Sequence, residues 1–107
     1  MLTCAANDEL TITSDGTIEV GGTAGTTTTA INGMNEDNLT INNAGTISGN
    51  GNYPVNFRSS ENSTMTNSGT IFGQVSVIYP RHATNFILTN ESTGLIYTTY
   101  ALSLIHI

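Results

Sequence analysis

A short string recurs along this chain at a nearly constant interval, and that recurrence leaves few folds open. Aligned on a glycine with an apolar residue close behind it, residues 10–18 (LTITSDGTI), 39–47 (LTINNAGTI), 63–71 (STMTNSGTI) and 86–96 (FILTNESTGLI) form four segments. The landmark glycines Gly16, Gly45, Gly69 and Gly94 stand 29, 24 and 25 residues apart. The last segment is lengthened ahead of its glycine, a difference that a turn absorbs. A looser signal follows the last three landmarks, in the alternating runs at residues 53–57 (YPVNF), 75–77 (VSV) and 101–104 (ALSL). Apolar residues do not recur at helical spacing, and β-branched threonine is abundant. Three short strands and three corners per repeat predict an all-β parallel β-helix, a solenoid of about four coils of roughly 24–25 residues each.

Stacking explains the residue types. Successive coils lie about 4.8 Å apart, so equivalent side chains touch. Ile12, Ile41, Met65 and Leu88 are expected to form one interior ladder, and Ile18, Ile47, Ile71 and Ile96 another. One coil cannot shield such a stripe from water, whereas a stack shields it continuously, at about 1.5–3 kcal/mol per buried side chain. The corner glycines Gly16, Gly45, Gly69 and Gly94 suit positive φ or close backbone approach. Asn43, Asn67 and Asn90 stand ahead of that corner, where an amide bonds to the backbone and to its counterpart one coil away. Residues 1–38 read as an irregular first coil with a Thr/Gly-rich excursion at residues 21–30, and residues 39–107 as regular coils. Residues 50–52 and 79–82 read as loops, the places where a solenoid varies its binding surface.

Composition narrows the partners. Lysine is absent, arginine occurs only at Arg58 and Arg81, and the net charge is −6. Such a surface does not neutralise phosphates, so no nucleic acid is expected as partner. Recurrent Ile, Val, Phe and Tyr argue against disorder. Cys4 is the only cysteine, which excludes an internal disulfide and reads as a small packed residue. No signal peptide and no long apolar helix are expected. The apolar run at residues 102–107 makes the chain read as trimmed, a fragment of a longer reading frame.

The strings at residues 42–49 (NNAGTISG), 66–73 (TNSGTIFG) and 89–97 (TNESTGLIY) resemble the passenger repeats of bacterial autotransporters, the type V secreted proteins. The resemblance covers residues 39–105 and, more weakly, 10–20. It implies a right-handed β-helix exported through a C-terminal β-barrel, with a role in adhesion, autoaggregation or carriage of an effector domain. The implied location is the cell surface, outer membrane or medium, and the membrane would be met only through a barrel that this chain lacks. The alternatives are a polysaccharide-acting β-helix enzyme and a non-functional truncated remnant of an autotransporter.

Chemistry is sparse. Asp8, Asp15 and Asp37 fall at different phases of the repeat, as do Glu61 and Glu91, so a polysaccharide-acting carboxylate pair is not expected. His82 and His106 lack metal-ligand spacing, and Ser76 and Ser103 lack a nucleophile elbow. No catalytic, cofactor-binding or metal residue is therefore assigned, and no cofactor is expected. Alternation turns Phe72 and Tyr97 outward and, with Tyr79, makes them the candidate surface contacts. Outward threonines such as Thr11, Thr13, Thr64 and Thr66 resemble ice-binding rows, but Asn42 interrupts them. Asn38, Asn62 and Asn90 match glycosylation sequons, which are common in so Asn- and Thr-rich a chain. The expected partners are a host surface protein or glycan, or a second copy through the open solenoid ends.

Overall fold

The computed structural model describes residues 1–21, 29–49, 53–74 and 76–98, and in these the chain winds through twelve short strands with no helix. The first coil is β1 (Leu2–Thr3), β2 (Glu9–Ile12) and β3 (Thr17–Val20), and the second is β4 (Ile31–Asn32), β5 (Thr40–Asn43) and β6 (Thr46–Gly49). The third is β7 (Val55–Asn56), β8 (Thr64–Asn67) and β9 (Thr70–Gly73), and the fourth is β10 (Ile78–Tyr79), β11 (Ile87–Asn90) and β12 (Leu95–Thr98). Every third strand pairs in parallel, giving three four-stranded sheets: β1-β4-β7-β10, β2-β5-β8-β11 and β3-β6-β9-β12. This is a right-handed parallel β-helix. A parallel pair needs a long crossover, and here one full coil supplies it.

The first coil joins the stack: Leu2 lies opposite Ile31, Leu10 opposite Ile41 and Ile18 opposite Ile47. The predicted excursion falls mostly on residues 22–28, outside the described residues, as do Val75, residues 101–104, the end at residues 102–107 and His106. The strand expected after the third landmark glycine differs from expectation. It is Ile78–Tyr79 rather than residues 75–77, so Tyr79 sits on a strand and not in a loop. A strand of two residues has no periodicity to betray its position.

Ile18, Ile47, Ile71 and Ile96 are in register on the third sheet, and the last three are buried. The second-sheet column requires a correction. Ile41, Met65 and Leu88 line up with Leu10, whereas Ile12 lies opposite Asn43. Four residues separate β2 from β3 but only two separate β5 from β6, so alignment on the glycine shifts the register by two. A shift of two preserves the inward parity of a strand, and Ile12 is still buried.

The column of Leu39, Ser63 and Phe86 shows how a polar residue is accommodated inside. Ser63 Oγ accepts the Leu39 N–H at 3.0 Å and shares a proton with Ser60 Oγ at 2.6 Å. Both serines are fully buried and satisfied. Beside them, Phe57 and Phe86 pack with ring centroids 4.5 Å apart.

Candidate functional site

The corner between the second and third sheets is an amide ladder. Asn43 Nδ2 donates to Asn67 Oδ1 at 2.8 Å, and Asn67 Nδ2 donates to Asn90 Oδ1 at 2.9 Å. Each also donates to the carbonyl of its own corner glycine: Asn43 to Gly45, Asn67 to Gly69 and Asn90 to Gly94. Positive φ is not what this corner demands of glycine. A Cβ on Gly45 would meet the Gly16 and Thr13 carbonyls, and one on Gly69 would meet the backbone of Gly45 and Ala44. Close coil-on-coil approach selects the residue. These amides are spent on the fold.

Positive φ falls elsewhere, on a corner that sequence reasoning missed. Asn7, Asn38, Asn62 and Asn85 adopt φ of 69°, 59°, 57° and 54° between the first and second sheets, and Asn35, Ser59 and His82 form a second such row. Asparagine tolerates this conformation better than other non-glycine residues. Asn38 Nδ2 donates to Asn7 Oδ1, and Asn85 Nδ2 to Asn62 Oδ1. The signal was present as intervals of 31, 24 and 23 residues, hidden by the abundance of asparagine.

The acidic residues are distributed, with one exception to the expected scatter. Asp37 Oδ1 accepts the Glu61 N–H at 2.9 Å, which puts these two residues on neighbouring coils rather than at unrelated phases. Asp8 caps the first corner by accepting the Ala5 N–H. Among the described residues, no three His, Cys, Asp or Glu gather as a metal-holding group. Cys4 is buried, and burial, followed by the negative charges of Asp8 and Glu36, pushes its thiol up. It stays protonated and unreactive at neutral pH.

The outward faces differ from one another. On the second sheet the outward columns are Glu9, Thr40, Thr64, Ile87 and Thr11, Asn42, Thr66, Thr89. On the third, Phe72 and Tyr97 stack with centroids 5.3 Å apart and planes at 11°, beside exposed Leu95. On the first, Tyr79 stacks on Tyr53 at 4.2 Å and 5°. The candidate contacts Phe72, Tyr97 and Tyr79 therefore do not share one surface: the first two are partners and Tyr79 lies on another face.

Only the Tyr79 face carries cations. The offset of 23 residues that sets Val55 opposite Ile78 and Asn56 opposite Tyr79 continues past the strands, where Phe57 N–H donates to Tyr79 O and Ser59 N–H to Arg81 O. Arg58 and Arg81 consequently occupy equivalent places on adjacent coils. Arg81 Nη1 donates to the Tyr79 hydroxyl at 3.4 Å, and that oxygen holds the exposed guanidinium further above its ordinary pKa. Tyr53, Asn32, Asn56 and Arg58 line an open cavity of about 290 Å³ together with Met34. Sequence inspection singled out Tyr79 but not its company, because the pairing appears only once the register is known. No family model matches the chain, and no curated protein or solved structure is significantly similar to it.

Proposed function

We propose that this chain is a non-catalytic stalk or adhesive segment of a larger exported bacterial protein, of the autotransporter passenger kind, displayed at the cell surface or secreted. The observation that carries this reading is the contrast between columns. On the third sheet one inward column stays constant from coil to coil, Ile18, Ile47, Ile71 and Ile96, while the alternate column Glu19, Ser48, Phe72 and Tyr97 varies. Selection for a rigid rod with a variable exterior produces that contrast. Protease shaving of intact cells that make the full-length gene product is the test. Accessible passenger is expected, and exclusive cytoplasmic retention would overturn the reading.

Self-association belongs to the same proposal. In the 107-residue chain by itself, β2 and β3 each have a strand on one side only among the described residues, and Met1 and Leu2 are exposed at that end. Such an edge invites a second copy. Sedimentation of the isolated chain at micromolar concentration is expected to show oligomers, and a persistent monomer would remove this part.

One observation favours a second reading, a polysaccharide-acting enzyme: the Glu61 backbone N–H donates to Asp37 Oδ1, which sets two acidic residues at equivalent places on adjacent coils. Two carboxyl groups within reach of one sugar are the minimum for glycoside chemistry. Turnover of a polysaccharide by the wild-type chain, lost in Asp37→Asn, would replace the non-catalytic reading.

A further inference from the structure

We infer that the first-sheet face around Tyr53 and Tyr79 is a binding site for an acidic, carboxylate-bearing oligosaccharide. The inference gives the adhesive reading above a ligand class, and it rests on that reading for its biological setting, although binding itself is a property of the chain alone.

Among apolar neighbours such as Met1 and Met34, the face presents donors. Asn32 and Asn56 are in register on adjacent coils. Asn32 Oδ1 accepts the Met34 N–H at 3.2 Å, and Asn56 Oδ1 accepts the Arg58 N–H at 2.9 Å. A backbone N–H can bond only to the amide oxygen, so the orientation of both side chains is settled and their Nδ2 groups remain as donors beside the cavity. Arg58 and Arg81 add two guanidiniums, which are donors and nothing else. Placed at equivalent positions one coil apart, they repel each other, and an anion bridging them relieves that repulsion. They are also the chain's only Lys or Arg side chains, on a molecule of net charge −6. An anionic ligand is repelled by the rest of the surface and steered to this face.

The anion is a sugar acid because of the aromatic pair. Tyr53 and Tyr79 stack on one another, with planes at 5° and centroids 4.2 Å apart, which occupies one face of each ring; Tyr53, which lines the cavity, keeps its other face for the C–H face of a pyranose. Guanidinium forks match planar carboxylates bidentately. The coil spacing, about 4.8 Å, is comparable to the advance of one pyranose along an extended chain, so a polymer can repeat its contacts coil by coil.

The test is calorimetric titration of the whole chain with an oligogalacturonate hexamer, a neutral hexose hexamer of equal length and a sulfated hexamer. The uronate is expected to bind, with the neutral oligomer weaker by about tenfold or more, as expected for loss of a charge-assisted bidentate contact. Arg58→Gln/Arg81→Gln is expected to lose about tenfold or more and to flatten the salt dependence, while Arg58→Lys/Arg81→Lys, which keeps charge without the fork, falls between. Tyr97→Ala, on another face, is expected to bind as wild type. No binding of the uronate, equal binding of the neutral oligomer, or unchanged binding by the double glutamine variant would overturn the inference. Tighter binding of the sulfated oligomer would overturn the carboxylate assignment. A surface-displayed protein that ignores uronate sinks this inference alone, whereas cytoplasmic retention sinks the adhesive reading and leaves the titration standing.

Discussion

The two inner coils and the two outer ones turn the same corner by different means. In the second and third coils, two residues, Ala44-Gly45 and Ser68-Gly69, separate the strands, and a buried asparagine ties each turn down. In the first and fourth coils, four residues make the passage at positions 13–16 and 91–94, closed by Gly16 N–H donating to Thr13 O and Gly94 N–H to Glu91 O. Ile12 takes the asparagine's place in the first coil, and Asn90 is only half-buried in the fourth. A corner flanked by neighbours on both sides must be short and self-satisfied, because its glycine and its asparagine are packed against the adjacent coils. A corner with one neighbour relaxes into an ordinary turn. Burial, more than local preference, sets the stringency.

Substitutions can break or sharpen that contrast. The largest effect is expected in the core: Ile71→Ala should cost about 3–4 kcal/mol and Ile18→Ala, at a half-open end, about 1 kcal/mol, as read from urea unfolding. Equal losses would mean that the stack does not grade from centre to end. Next, Asn67→Ala takes the donor from the Asn90 amide oxygen and one acceptor from the Asn43 amide, while Gly69 O keeps the Leu95 N–H, at a cost of about 2–3 kcal/mol, whereas Asn90→Ala should cost about 1 kcal/mol. Third, Gly69→Ala drives a methyl into backbone and should cost about 2 kcal/mol, while Gly16→Ala meets the Ile12 Cγ2 at a less crowded end of the stack and should cost about 1 kcal/mol.

The smallest effect concerns Cys4 in the first coil. Its folded-state pKa lies above the ordinary 9.0, so its contribution to stability is fully present below that value and is lost as pH rises through the folded pKa. Wild type should lose stability relative to Cys4→Ser only above about pH 9, in a comparison of unfolding midpoints across pH. An identical pH dependence in the two would mean that the thiol is solvated.

What could be read from the chain was what packing dictates twice over. The column through Ile47, Ile71 and Ile96 is both apolar and periodic, and Asn43 and Asn67 precede a glycine each time. Ile12 was placed opposite Ile41 because alignment on Gly16 hides a corner two residues longer; only the pairing with Leu10 exposes it. The Asn7, Asn38, Asn62 and Asn85 corner was obscured because nothing marks an asparagine as left-handed in a chain so full of them. Tyr53 with Tyr79, and Arg58 with Arg81, are partners only through a register offset that two-residue strands do not announce. The meeting of Asp37 with Glu61 was hidden for the same reason, since each lies in an irregular corner.

The amide ladder has an arrow. Its first member, Asn43, accepts the Gly45 N–H of its own coil on Oδ1, and from there each link between these asparagines points toward the C-terminus, nitrogen to oxygen, coil after coil. A finished coil therefore offers a proton where the following one must bring a lone pair. The polarity of the ladder favours one register for each coil, because a coil out of step would lose its amide link.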